Sequence, residues 1–248
     1  MKTSKQRGLM RKFKALWMLA FAFSFLVRAQ DTSNTVRLAD QSDWWSVLNE
    51  NFYWPIEKPA GNEISADNFE IAGMKLDRDP AFRTVKNKFG RTVTASRGST
   101  SSARQQVCYL SQQNPPVRLI FEEGDLSLSF YLVAGGQGWN GQALCAESPQ
   151  VSENLKTKSG LGLGISPVDV VKILGKADVS NPDRLVYERE IEHETPNEKL
   201  TELRKEHSEM SEKDFHDNYD SYEVELYIEA RFTSGKLSYL AVSKTENY

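Results

Sequence analysis

Histidine and cysteine are scarce in this chain of 248 residues, which holds three of the first and two of the second. That scarcity narrows the chemistry on offer. No H-E-x-x-H pair or comparable spacing is present for a zinc hydrolase. No G-x-S-x-G elbow is present for a serine hydrolase. The glycine run Gly160-Leu161-Gly162-Leu163-Gly164 has neither the Gly-Lys-Ser/Thr ending of a phosphate loop nor the G-x-G-x-x-G spacing of a dinucleotide site. Asp217-Asn218-Tyr219-Asp220 lacks the glycine and the terminal glutamate of a calcium loop. No catalytic residue, cofactor or metal ligand set is expected from these patterns, and the chain reads as a non-enzyme.

Long apolar runs are missing as well. The longest, Ala15–Val27, has thirteen residues, too few for the roughly 20 that span a bilayer. It follows Lys2, Lys5, Arg7, Arg11, Lys12 and Lys14 and precedes Val27-Arg28-Ala29. A basic start, a short apolar stretch and small residues before a cut are the marks of a secretory leader. Residues 1–29 are therefore expected to be a cleaved signal peptide. No cysteine follows directly, so no lipid-acceptor site is expected. The product would be secreted or periplasmic, with no stable membrane insertion after cleavage. Cutting after Ala29 leaves 24 basic against 34 acidic residues, a net charge of −10 rather than the −3 of the whole chain. Such an acidic product is a poor ligand for nucleic acid. In an oxidising compartment the isolated pair Cys108 and Cys145 is most simply one disulfide, contributing about 2–4 kcal/mol.

What the chain does contain is a unit written twice. The first copy begins Ile71-Ala72-Gly73-Met74-Lys75-Leu76 and the second Ser159-Gly160-Leu161-Gly162-Leu163-Gly164. Each is followed by a helix-start signal, Asp79-Pro80 or Ser166-Pro167-Val168-Asp169, in which a side-chain oxygen caps the first turn and proline fits its first position. The helices then carry Phe82, Val85 and Phe89, or Val170, Val171 and Leu174, as apolar faces, and stop at Gly90 or Gly175. Each copy ends in an F-x-x-G-x-L-S hairpin, Phe121–Ser127 or Phe232–Ser238. Clean alternation in Tyr222–Phe232 and in Leu126–Leu132 predicts antiparallel sheet with one wet face. The fold class expected is α+β: two tandem repeats, each a helical start packed on a β-meander.

The run from Gly160 to Ala177, with its glycine turn, Ser166 cap, Val168-Asp169 pair and Leu174-Gly175, resembles the opening of the SmpA/OmlA (BamE-like) domain. The tandem arrangement is similar to the β-lactamase-inhibitory-protein (BLIP-like) architecture, in which two α/β units sit side by side. The resemblance covers about residues 69–134 and 159–248, and the second copy carries the motif better. It implies an envelope-assembly or protein-binding role. The lipidated cysteine of the BamE-like pattern is lacking here.

The expected organisation is thus a leader at 1–29, an aromatic-rich extension at 30–68, a first repeat at 69–134, a glycine-rich linker at 135–158 and a second repeat at 159–248. The extension holds Trp44, Trp45, Phe52, Tyr53 and Trp54, expected to include a short helix and to cover the adjoining domain. The linker holds Trp139 and would be strapped to the first sheet through Cys145. The second repeat carries an acidic helical insertion at about 190–218, where Thr195-Pro196-Asn197-Glu198 reads as a capping box. From Glu188 to Glu223 there are 13 acidic and five basic residues, the pattern of a solvated face. His193, His207 and His216 all fall in this stretch, and a metal-dependent hydrolase built on them is the alternative reading. The favoured expectation is an exported binding module whose partner is another envelope or secreted protein. Its contacts would come from Tyr131 and Tyr227 on the wet sheet faces and from Trp139. A structural envelope protein with no discrete site is the third reading.

Overall fold

Strict alternation of apolar and polar side chains builds the longest strands here, because a period of two puts every second residue on the same face of a sheet. The computed structural model describes residues 35–37, 63–76, 81–97, 104–124, 127–135 and 145–247. The strands are β1 (Thr35–Arg37), β2 (Glu70–Ile71), β3 (Met74–Lys75), β4 (Thr94–Arg97), β5 (Arg104–Leu110), β6 (Val117–Glu123), β7 (Ser127–Ala134), β8 (Ala146–Glu147), β9 (Val179–Asn181), β10 (Arg184–Glu194), β11 (Ser221–Thr233) and β12 (Lys236–Asn247). Among the described residues there are four α-helices: α1 (Ala81–Phe89), α2 (Pro167–Leu174), α3 (Asn197–Glu206) and α4 (Glu212–Tyr219). The class is α+β, as expected.

Ten strands form one sheet in the order β1-β4-β5-β6-β7-β12-β11-β10-β9, with β8 also paired to β5. All pairings are antiparallel except β1 with β4 and β5 with β8. The meander β4 to β7 and the meander β9 to β12 run in opposite directions across the sheet and meet where β7 pairs with β12. Asn34–Tyr248 form one compact unit. Because β7 and β12 pair directly, the two meanders share one sheet.

The helix-bearing face of the sheet holds the main core. Phe121, Phe130, Leu132, Leu240 and Val242 are buried there against Val85 and Phe89 of α1 and Val170 and Leu174 of α2. Phe89 stacks its ring 5.4 Å from Tyr109 and 5.7 Å from Phe121. The α2 start is as read from the sequence: the Asp169 N–H donates to Ser166 Oγ at 3.2 Å and the Ser166 hydroxyl donates to the Asp169 carboxylate at 2.7 Å. Gly175 ends the helix at φ 79°, its N–H donating to the Val171 carbonyl. Val171 itself departs from expectation and is 41% exposed. On this eight-residue helix Val170 and Leu174, four apart, face the sheet, and Val171 is turned about 100° away from Val170.

One contact recurs in both halves. The Tyr109 hydroxyl on β5 donates to the carbonyl of Gly90, just past α1, at 2.9 Å. The Tyr187 hydroxyl on β10 donates to the carbonyl of Gly175, just past α2, at 3.2 Å. Each bond pins a helix end to the second strand of the meander that follows it. The approach to α2 is held as tightly: Gly162 bridges Lys156, and a Cβ at that position would lie 2.7 Å from the Leu155 carbonyl oxygen. Glycine is required there by close backbone approach rather than by turn geometry.

The insertion between β10 and β11 is the helical pair α3 and α4, which bury Leu203 and Phe215 and meet where the Arg204 guanidinium lies 5.0 Å from the centre of the Phe215 ring. The capping box expected at Thr195 is not formed. Pro196 occupies the cap position without a side-chain bond, and Thr195 lies one residue further out. Its N–H is committed to the Asp220 carbonyl, and its buried hydroxyl has no hydrogen-bond partner. The cap that does form is Ser211 on α4, which accepts from the Asp214 N–H and donates to the Asp214 carboxylate at 2.7 Å.

Candidate functional site

The sheet face turned away from α1 and α2 is where chemistry-bearing side chains gather. Register places Glu229 of β11 beside Val186 of β10 and Ala241 of β12, with Tyr131 of β7, Ile120 of β6 and Cys108 of β5 continuing the same row. This face was expected to be wet throughout. Its centre is instead a second buried cluster of Cys108, Ile120, Tyr131, Val133, Tyr239 and Ala241. Cys108 is bonded to Cys145 as a disulfide, with a Cα separation of 4.5 Å. The expected pairing is present, and it lies on this face at the outer side of β5.

Two buried carboxylates organise the polar groups around that cluster. Glu229, 2% exposed, accepts from Arg184 Nε at 2.6 Å and Arg231 Nε at 2.8 Å through Oε1, and from the Tyr227 hydroxyl at 2.9 Å through Oε2. The Arg231 guanidinium lies 4.7 Å from the centre of the Tyr239 ring, within cation–π range. On the other half of the sheet Glu122, 5% exposed, accepts from Arg104 Nη1 at 2.9 Å and from Gln106 Nε2. Between the two, Ser129 Oγ donates to Ser243 Oγ at 2.8 Å across the β7–β12 pair. The carboxylates are buried and the arginines reach the surface, so each arginine head is held at a fixed place on the face.

Burial sets the tyrosines of this region apart. Tyr131, Tyr227 and Tyr239 are all pushed above the ordinary phenol range, first by burial and then by the nearby carboxylate charge of Glu122 for Tyr131 and of Glu229 for the other two. Burial also raises Tyr109, and raises Tyr187 to about 12. A phenol that stays neutral in the folded state but ionises near 10 in the unfolded chain favours unfolding only above that pH. The stability these five groups contribute is therefore complete below pH 10 and is lost as pH rises beyond it. Urea unfolding followed at increasing alkaline pH is expected to give a falling midpoint, with tyrosinate absorbance appearing in step with loss of structure. Gradual ionisation of all five near pH 10 with the fold intact would contradict this.

The residues singled out from sequence are dispersed. Tyr131, expected as a solvent-facing contact, is 6% exposed and packs against Tyr239 with ring centres 6.5 Å apart. Its neighbours on the face are Ile120 of β6, Val133 of its own strand and Tyr239 and Ala241 of β12, and this shared burial removes it from solvent. Tyr227 is half-buried, and its hydroxyl is engaged by Glu229. Trp139, the leader at 1–29 and the aromatic group Trp44, Trp45, Phe52, Tyr53 and Trp54 lie outside the described residues. So does the Asp79-Pro80 helix start.

The three histidines are held by separate partners. His193 stacks on Tyr222 and His207 on Tyr219. His216 Nδ1 is 2.7 Å from Asp220 Oδ1, a bond that raises its pKa above the ordinary imidazole value together with that carboxylate's charge. Among the described residues no group of three or more His, Cys, Asp or Glu is placed to hold a metal ion, and no helix is long and apolar enough to cross a membrane. Glu229, Glu122 and their arginines were missed by sequence reading. The available signal was weak: Arg184, Glu229 and Arg231 are each ordinary in an acidic, charged sequence, and only register brings them together.

No protein-family model matches this chain, and no curated protein or solved structure matches it either.

Proposed function

We propose that the chain is an exported, non-enzymatic protein-binding module, made of two tandem BamE-like or inhibitor-like units. The charged face of the sheet is its contact surface, and another envelope or secreted protein is its partner. The observation that carries the reading is the pair of buried carboxylates, Glu122 fixing Arg104 and Glu229 fixing Arg184 and Arg231, with the arginines reaching the surface beside tyrosines. Arginine and tyrosine dominate the binding energy of protein interfaces, and side chains held in place before contact lose less entropy on binding. The tandem reading is supported by the opposed strand orders of the two meanders and by the Tyr109–Gly90 and Tyr187–Gly175 bonds, which occupy matching places in both. Export is supported by the basic, short-apolar start of the sequence and by the Cys108–Cys145 disulfide.

The test is photo-crosslinking from Thr245, which lies on this face beside Glu225 and Ser127. A photo-reactive residue at that position, in the chain expressed in its native host, is expected to give one discrete protein adduct outside the cytoplasm. The protein in that adduct is expected to begin at Gln30. Arg231→Lys retains the charge but loses the planar fork, and is expected to weaken the adduct at least tenfold. No adduct, or an adduct indifferent to Arg231→Lys, overturns the reading.

A further inference from the structure

On its outer side the β10–β11 hairpin extends well beyond β9, while β12 accompanies β11 as far as Glu223. β9 covers β10 only from Arg184 to Val186, and the Glu188 N–H is taken by Asp178 Oδ2 at 2.9 Å. In an antiparallel strand, the residues that alternate with those bonded to the partner point their N–H and C=O groups the other way. Glu188 points outward, so Glu190, Glu192 and Glu194 do as well. Among the described residues no strand pairs with that edge, and all three residues are exposed. About 14–17 Å of strand edge, at 3.4 Å per residue, is open.

Charged side chains on an edge commonly serve to prevent self-pairing, and that explains one row of glutamates. It does not explain the second. Glu225 and Glu223 on the interior strand β11 stand directly opposite Glu190 and Glu192. Because the β10 members point their main-chain groups outward, these are non-hydrogen-bonded pairs, the closer of the two cross-strand spacings. Like charges directly opposite are destabilising, and an interior strand has no edge to protect. Glu225 accepts from Asn247 Nδ2 at 3.1 Å and Glu192 from the Ser221 hydroxyl at 2.7 Å, neutral donors that leave the charges facing each other. Glutamine at 223 or 225 would keep such contacts, leave the edge as well guarded and relieve the repulsion. The doubled row makes sense as one half of a charge match.

We infer that the outer edge of β10 from Glu190 to Glu194 accepts an extended segment of a partner protein as an added strand, with lysine or arginine at alternate positions facing the glutamates. This rests on the binding-module reading above and specifies how one segment of that partner is held. Main-chain bonds to the open edge supply affinity, and alternation of basic side chains supplies selectivity. A second copy of this chain is the wrong occupant, since edge-to-edge pairing would set glutamates against glutamates.

The experiment uses the full mature chain and a labelled synthetic peptide alternating lysine and valine, with an alternating glutamate–valine peptide as control. Fluorescence anisotropy is expected to show binding of the lysine peptide alone. Hydrogen exchange is expected to slow at Glu190, Glu192 and Glu194 when it binds. Glu192→Gln and Glu192→Pro remove the same charge, but only proline removes an outward N–H, one that the β10–β11 ladder does not use. Proline is therefore expected to weaken binding at least tenfold beyond glutamine. Glu190→Lys, which leaves the backbone intact and so guards against a misfolded proline variant, is expected to weaken the lysine peptide by a similar factor. Equal affinity of the proline and glutamine variants, protection elsewhere in the chain, or self-association through this edge overturns the inference. A Thr245 adduct with no peptide binding removes the edge proposal and leaves the module reading standing; absence of both removes both.

Discussion

Asp178→Ala is expected to lower the unfolding free energy by about 3–5 kcal/mol, the range seen when one partner of a buried ion pair is removed. Asp178 sits in the connection between α2 and β9, and its side chain is fully enclosed, while that of Arg189 is 8% exposed. Its Oδ2 accepts from Arg189 Nη1 at 2.6 Å and from the Glu188 N–H at 2.9 Å, and its own N–H donates to the Val186 carbonyl. Truncation therefore leaves the buried Arg189 guanidinium, on the helix side of the sheet, without its counter-charge, the Glu188 carbonyl still accepting from Nη1. It also takes away the acceptor of the Glu188 N–H. Both penalties fall on the seam between α2 and β10, which the Tyr187–Gly175 bond also spans. The measurement is the urea midpoint at unchanged m-value. Against a whole-domain stability of about 5–15 kcal/mol this is a large fraction, and the midpoint is expected to fall by a corresponding share. The double replacement Asp178→Leu with Arg189→Met removes both charges and is expected to recover most of the loss. A deficit under about 1 kcal/mol in the single variant would show that Arg189 reaches water when its partner is gone.

The sequence announces local features of the fold far better than its second face. Ser166, Pro167, Asp169 and Gly175 specify both ends of α2 within ten residues, because capping is a matter of neighbouring groups. The alternation in β11 is legible for the same reason: Val224, Leu226, Ile228, Ala230 and Phe232 are buried in turn. The cluster on the opposite face has no alternating signature of this kind. It draws Cys108, Ile120, Tyr131 and Val133, Tyr239 and Ala241 from four different strands, one or two from each. Read within single strands, Ile120, Tyr131, Val133, Tyr239 and Ala241 lie inside short continuous apolar runs, Leu119–Phe121, Phe130–Ala134 and Tyr239–Val242, which mark burial on both faces but do not say what covers the second. The recurring tyrosine-to-glycine bond has no signature of constant spacing, since Tyr109 follows Gly90 by 19 residues and Tyr187 follows Gly175 by 12. Thr195 misled in the other direction. It fits a capping box by composition, but its N–H is already used by Asp220 across the base of the insertion.

The same distinction between local and register-dependent signals governs the second large effect, at Glu229. Glu229→Ala is expected to cost about 3 kcal/mol, less than Asp178→Ala, for a reason visible in the partners. Arg184 and Arg231 retain 19% and 29% side-chain exposure, so each can turn toward water once the carboxylate is gone. The Tyr227 hydroxyl also loses its acceptor. Glu229→Gln tests the charge separately from the shape. With its oxygen toward the two arginines, its amide nitrogen would donate to the Tyr227 hydroxyl oxygen, so shape and hydrogen bonds are kept and only the carboxylate charge is lost. Glutamine is therefore expected to cost less than alanine in urea unfolding. In Glu229→Ala the two arginines would no longer be held at fixed places on the face, and the Thr245 adduct is expected to weaken in its folded fraction. Retention of full stability by Glu229→Ala would mean the arginines are positioned by their packing on Tyr239 and neighbouring strands. In that case Glu229 is an accessory of the face rather than its organiser.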